Sequence, residues 1–205
     1  MSKIKLTKGE LKRQRDALEQ FQHYLPTLQL KKQQLQIKIL EMRRTLKEKE
    51  DLLASLENGL NDWVGLLADP GIDIKKWVIP EQVILGQVNI AGASIPLYRE
   101  VIFKDIDYDY YEMPLWVDRG VEELRELMQM LCEIEVIKKQ ISILQHELKI
   151  TTQRVNLFEK VRIPECIENI RIIRIYLGDR MANAVGISKV AKKKIEQSTL
   201  QEALA

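Results

Sequence analysis

Residues 11–63, LKRQRDALEQFQHYLPTLQLKKQQLQIKILEMRRTLKEKEDLLASLENGLNDW, carry two interleaved ladders with seven-residue spacing. One runs through Leu11, Leu18, Leu25, Lys32, Ile39, Leu46, Leu53 and Leu60. The other runs through Gln14, Phe21, Leu28, Leu35, Met42, Lys49, Leu56 and Trp63. Only Lys32, Gln14 and Lys49 break the apolar rule, and Lys, Arg, Glu and Gln fill the spaces between rungs. Alternating steps of three and four gather these side chains into one narrow seam on a helix. A seam this narrow predicts a second helix packed against it.

The composition agrees with long solvated helices. Charged residues make up 30% of the 205-residue chain and aromatics only 6%, which leaves little for a thick globular core. The net charge of +2 hides many charges of both signs, so nucleic acid is not the default partner. The first residues, MSKIKLTKGELKRQ, lack the apolar core of a secretory signal, and no apolar run reaches the length of a membrane span. A cytoplasmic protein is expected. Cys132 and Cys166 stand far apart among apolar neighbours, and they read as reduced packing residues.

In chain order, Thr7 and Glu10 form a capping-box pattern that opens a first helix reaching about Leu67. Pro26 removes a backbone donor, yet both ladders keep their phase across it, which predicts a kink and not a break. The helical signal stops at the turn cluster Ala68-Asp69-Pro70-Gly71. Residues 83–91 and 95–103 then read as a β-hairpin with Gly92-Ala93-Ser94 between its strands, and Pro96 suits a strand start or edge. The stretch DIDYDYYEMP reads as an extended connection ending at Pro114. Asp118 is a plausible N-cap for a second long helix, with Glu122 and Glu123 near its positive end. That helix carries Leu124, Leu127, Leu131 and Ile134, then Ile137, Ile141, Leu144, Leu148, Val155 and Phe158 in a displaced phase. A further phase follows in Ile163, Ile167, Ile170, Leu177 and Met181.

The predicted fold is mainly α. Its N- and C-terminal helices form a long antiparallel two-helix coiled coil, with a small central β-hairpin region at one end. Three segments follow: a helix over 1–67, a hairpin and connecting region over 68–117, and a helix with a basic tail over 118–205. Antiparallel pairing is expected because both seams need a partner and about fifty residues separate the helices. It brings both termini to one tip.

No catalytic site emerges. The chain lacks the phosphate-cradling G-x-x-x-x-G-K-[ST] loop, G-x-G-x-x-G and G-x-S-x-G. His23 and His146 fall between seam positions on different helices and read as solvated residues. Asp105, Asp107, Asp109 and Glu112 lack the glycine and closing Glu of an EF-hand loop, so no metal is expected there. Neither cofactor nor catalytic residue is predicted. The basic groups Lys3, Lys5, Lys8, Lys12, Arg13 and Arg15, together with Lys189, Lys192, Lys193 and Lys194, belong near the shared tip. They either keep solvated termini soluble or meet acidic surface on a surrounding protein. Nucleic acid ranks third, since no aromatic interleaving accompanies the charge.

Three segments carry a family resemblance. RVNLFEKVRIPECIENI (154–170) resembles the signature near the end of the D subunit of V-type and archaeal-type rotary ATPases, VNIAGASIP (88–96) resembles that family's central hairpin, and LTKGELKRQRDAL with LKKQQL resembles its first helix. Order and spacing agree across the chain. The resemblance carries over Arg154, Val155, Asn156, Glu159, Ile163 and Pro164 as the signature, and Asn89, Ala91, Gly92, Ile95 and Pro96 as the hairpin turn. Helix packing and turn geometry are their plain structural roles, beside direct contact with partners. Pro26 and the glycine-richer GDRMANAVGIS segment depart from the family pattern.

What the resemblance implies is a non-enzymatic central rotor shaft that transmits torque, threaded into a hexamer of catalytic A and nucleotide-binding B subunits. Its hairpin end would meet the F subunit and the component linking the shaft to the membrane ring. Ion transport, of protons or sodium, would be coupled to ATP synthesis or hydrolysis. The shaft would touch the membrane only indirectly, as part of a complex peripheral to its inner face. Exposed cations near the termini, among them Lys12, Arg13 and Arg15, would act as teeth. A prefoldin-like chaperone also sets hairpin strands between two long helices, and a generic coiled-coil adaptor remains a third reading.

Overall fold

The computed structural model describes residues 4–61, 63–68, 74–106 and 113–203. The elements in order are α1 (Lys8–Asn61), a 3-10 turn (Val64–Ala68), α2 (Lys75–Val78), β1 (Pro80–Ile90), β2 (Ala93–Phe103), α3 (Trp116–Leu157), a π turn (Phe158–Arg162) and α4 (Ile163–Ala203). Mainly helical structure around one two-stranded hairpin is the predicted class.

The heptad reading of α1 holds residue by residue. Every ladder position from Leu11 to Trp63 is buried or half-buried, and the other half-buried residues between them, Ala17, Lys31 and Lys38, lie immediately beside the seam. The helix starts where Thr7 Oγ1 accepts the Glu10 N–H at 3.2 Å. The reciprocal half of the capping box is not the bond Glu10 makes. Its carboxylate instead accepts the Gln14 side-chain amide at 2.8 Å. The helix passes Pro26 without a break and ends at Asn61, short of the expected Leu67. Asn58, Gly59 and Asn61 are weak helix formers, and the chain tightens into the 3-10 turn, where the Leu66 N–H bonds the Trp63 carbonyl at 2.9 Å.

The chain divides into two compact units, Leu30–Thr152 and Met1–Gln29 with Gln153–Ala205. In the first, α1 and α3 run antiparallel. Lys31 pairs with Glu147 at 3.8 Å, and further along α1 Lys49 pairs with the earlier Glu133 at 2.8 Å. Lys49 thus answers its break in the ladder with a carboxylate on the facing helix. Leu35, Ile39 and Leu144 form a core with Ala93 and Ile95 of the hairpin.

The hairpin therefore lies back along the helices. Gln140 donates its side-chain amide to the Pro96 carbonyl. At the other end of the strand, Arg125 donates to the Lys104 carbonyl at 2.6 Å and sits 5.1 Å over the Phe103 ring. Fifteen helical residues from Arg125 to Gln140 span about 22 Å, and eight extended residues from Pro96 to Lys104 span about 26 Å, so strand and helix keep pace. Gln140, which makes the bond to the hairpin, is buried on α3 in addition to the α1-facing residues, and Val136 one turn before it is buried as well. Leu131, placed in the seam by its spacing, is 37% exposed.

The strands begin earlier than predicted, and the turn is Ala91-Gly92, not Gly92-Ala93-Ser94. Ile90 pairs with Ala93, leaving a two-residue loop whose φ values are +50° and +81°. Positive φ at both central residues matches the right-handed twist of the strands. Pro96 sits inside β2, permitted because a two-stranded sheet consists of edges. Bulges interrupt the register between Pro80 and Gln82 and between Ile84 and Leu85.

A second cluster of the same unit joins Ile74 and Trp77 to Val117 and Val121. The short α2 that presents Trp77 had no signal long enough to read. Asp118 is not the cap of α3; the helix opens at Trp116 with the Val117 N–H on the Pro114 carbonyl, which leaves Asp118 in the first turn. Asp69, Pro70 and Gly71 of the expected turn, and Asp107, Asp109 and Glu112 of the acidic stretch, lie outside the described residues.

In the other unit the start of α1 pairs antiparallel with the π turn and α4. Phe21 and Phe158 meet with ring centroids 5.0 Å apart, and further back on α1 Gln14 meets the later Asn169. Cys166, Ile170 and Ile173 are buried here, whereas Ile167 and Met181, expected in the seam, are 52% and 55% exposed. From Ile163 the seam continues three residues on at Cys166 and not four on at Ile167, and Met181 lies beyond Leu177, the last half-buried position of α4 among the described residues. The π turn sets the phase at which this stretch begins. It inserts one extra residue, so the seam steps from Phe158 to Ile163.

Candidate functional site

The signature segment 154–164 closes α3, forms the whole π turn and opens α4. In the π turn the Ile163 N–H bonds the Phe158 carbonyl five residues back. Val155 is buried at 4% exposure and Ile163 is half-buried, so these two brace the seam. Arg154, Asn156, Glu159 and Pro164 face solvent. The signature thus divides into an inner packing pair and an outer polar face.

The five hairpin residues come together at the other candidate surface. Asn89 Oδ1 accepts the Gly92 N–H at 2.9 Å and closes the turn, Ile95 plugs the core at 3% exposure, and the Pro96 carbonyl takes the bond from Gln140. Ala91 packs against the same core. These residues attach the hairpin to the helices. Asn89 and Gly92 are exposed.

Lys12, Arg13 and Arg15 are all exposed, and Arg13 lies 3.9 Å from Glu10. Lys189, Lys192, Lys193 and Lys194 are exposed in the same unit. The two basic groups are not level, however. Gln14 faces Asn169, and Lys189 lies twenty residues beyond Asn169, or about 30 Å along a helix. All residues from Gly178 to Gln197 are exposed, including the apolar Met181, Val185, Ile187 and Val190. Spacing alone did not show this, because nothing in the sequence marks where α1 ceases to cover α4.

Charges along the outer face of α4 are locally paired. Arg162 reaches Glu165 at 3.2 Å, and Arg171 grips Glu168 through two bonds of 2.9 and 2.7 Å. The second pair holds the Glu168 carboxyl below its usual range, through the hydrogen bonds of Arg171. Burial pushes the thiols of Cys132 and Cys166 up, and both are free. Among the described residues no group of three or more His, Cys, Asp or Glu is placed to hold a metal ion. His23 and His146 are exposed on separate helices. No described helix is long and apolar enough to cross a membrane.

Among the described residues the arrangement presents no convergent set of polar groups for chemistry. Comparison with known proteins gives the family. The family profile for the ATP synthase D subunit matches residues 10–193. The chain belongs to the ATP synthase D-subunit family. The V-type ATP synthase D subunit of Borreliella burgdorferi is 43% identical over 195 residues, covering 95% of this chain and 96% of the relative. Its counterpart in Chlamydia caviae is 35% identical over 198 residues, covering 96% and 95%. That of Chlamydia muridarum is 32% identical over 198 residues, covering 96% and 98%. Membership of the D-subunit family thus rests on nearly the full length of both partners in each comparison, with the signature, the hairpin and all but the first residues of α1 inside the range the family profile matches.

Proposed function

We propose that this chain is the central rotor shaft of a V-type ATPase or ATP synthase, a non-catalytic component that passes torque between the catalytic A/B hexamer and the membrane ion-translocating ring. The observation that carries the reading is the D-subunit match over residues 10–193, joined to antiparallel helix pairing around a packed seam. The N-terminal helix, the hairpin region and the C-terminal helix serve as its working parts.

The physical argument is one of stiffness and asymmetry. Rotating one helix against its partner would unseat every interlocked side chain along the seam, so the pair resists twist. Two helices also present different faces in different directions. The angle of the shaft can then bias which site of a surrounding hexamer is open, and closure of a site pushes back on that angle. This is reciprocal linkage between orientation and nucleotide occupancy. The outer cations Lys12, Arg13, Arg15 and Arg154 act as teeth, while Val155 and Ile163 belong to the spine.

The partners in this reading are the A, B and F subunits and the component linking the shaft to the ring, with the hairpin region facing the last two. The shaft binds no nucleotide or cofactor itself. The complex sits on the cytoplasmic face of the membrane and moves protons or sodium. Co-expression with A, B and F tests the reading. A stable complex whose ATP turnover drives ion transport only when this chain is present supports it; failure to assemble, or coupled transport unchanged by its omission, refutes it.

A further inference from the structure

In the unit that holds the start of α1, the seam from Val155 to Leu177 advances through Phe158, then through Ile163, Cys166, Ile170 and Ile173, all buried or half-buried. Each step is three or four residues except the step of five at Phe158–Ile163, where the π turn lies. We propose that this turn, with Pro26 on the facing helix, is a compliant collar at which the backbone of the pair yields while its seam stays closed.

Three observations carry this. In the turn the Ile163 N–H reaches the Phe158 carbonyl, but the following residue is Pro164, which has no N–H to continue the pattern onto Glu159. On the outer side Glu159, Lys160, Val161 and Arg162 are all exposed, and the Arg162–Glu165 pair at 3.2 Å joins only the end of the turn to α4. On the inner side Phe158 is held against the Phe21 ring at 5.0 Å, and five residues on from Phe21, about 7.5 Å along the helix, α1 has its own missing donor at Pro26. Because the helices run antiparallel, Pro26 stands level with the last turn of α3 while the π turn follows Phe158, so the two hydrogen-bond ladders are thinned on either side of the Phe21–Phe158 contact, where the packing between the helices is intact. π turns inside long helices are frequent at working positions.

The functional consequence rests on the shaft reading. Under load such a collar would take up twist locally and return it, and the seam above and below would not unzip. The collar itself is tested on the full chain alone, by amide hydrogen exchange read on peptides by mass spectrometry. Peptide 158–164 is expected to exchange about tenfold or more faster than peptide 166–176. Deleting the exposed Val161 restores a step of four and should bring 158–164 to the rate of its neighbour. Pro164→Ala restores the donor without shortening the chain and should slow the same peptide several-fold. Equal exchange in the two wild-type peptides would overturn the proposal, as would fast exchange that neither variant slows. Failure to assemble with A and B would remove the rotary consequence and leave these exchange results standing.

Discussion

The side-chain amide of Asn169 donates to the amide oxygen of Gln14 at 3.3 Å, joining α4 to α1 at a rung where the seam is otherwise apolar. Asn169 is only 8% exposed. Gln14 is one of three residues that break the ladders in the sequence, and the break is answered by a polar group on the facing helix. A single buried polar pair of this kind fixes register at a cost in stability.

Removing one member should therefore be worse than removing both. Gln14→Leu leaves the Asn169 amide buried without its acceptor and should destabilise the chain by roughly 1–3 kcal/mol in chemical denaturation. Gln14→Leu with Asn169→Leu should recover most of that loss but loosen the register, visible as mixed species in sedimentation. A double variant as unstable as the single one would show that the pair does not act as a unit.

The hairpin turn gives a prediction of opposite signs at adjacent residues. Ala91 holds φ +50° without the freedom of glycine, and Asn at that place tolerates the left-handed region better. Ala91→Asn should stabilise by roughly 0.5–1 kcal/mol, while Gly92→Ala, at φ +81°, should destabilise by roughly 1–2 kcal/mol. Thermal denaturation of the two variants reads both signs.

Leu144 is fully buried where both α1 and the hairpin meet α3. Leu144→Ala should cost about 2–5 kcal/mol by loss of burial and the cavity left behind. Amide exchange should rise in β1 and β2 as well as in α3. Exchange rising in the helix alone would contradict the attachment of the hairpin at this point.

Cys166 should be a poor nucleophile. Burial holds its thiol above the usual 9.0, so the folded state favours the neutral form. That contribution to stability is complete below the unfolded thiol pKa and is lost as pH rises through the folded one. Alkylation at pH 8 should be much slower in the native chain than in denaturant, and denaturation midpoints should fall above pH 9 more in wild type than in Cys166→Ala.

Much of this fold is legible in the sequence because a heptad is a redundant signal. Sixteen rungs of α1 were read from spacing and all sixteen are buried or half-buried. The errors occur where one residue changes a phase. From Ile163 a step of three to Cys166 and a step of four to Ile167 both fit a helical seam, and nothing short of the backbone path distinguishes those two settings. The hairpin turn slipped by one for a similar reason: Gly92 was visible, but the left-handed Ala91 beside it carries no compositional mark. The burial of Gln140 escaped because it depends on the hairpin folding back along α3, a tertiary event. For the signature, the sequence located the segment, but only its structure separates the inward Val155 and Ile163 from the outward Arg154, Asn156 and Glu159.

The central claim is that this chain turns inside a ring of catalytic subunits. A single fluorophore on Ser94→Cys, exposed beside the hairpin turn, in a Cys132→Ser, Cys166→Ala background, reports its orientation in an immobilised A/B/F complex. During ATP hydrolysis the polarisation angle is expected to advance in one direction in steps that scale with turnover. A fixed angle in complexes that still hydrolyse ATP would contradict the account.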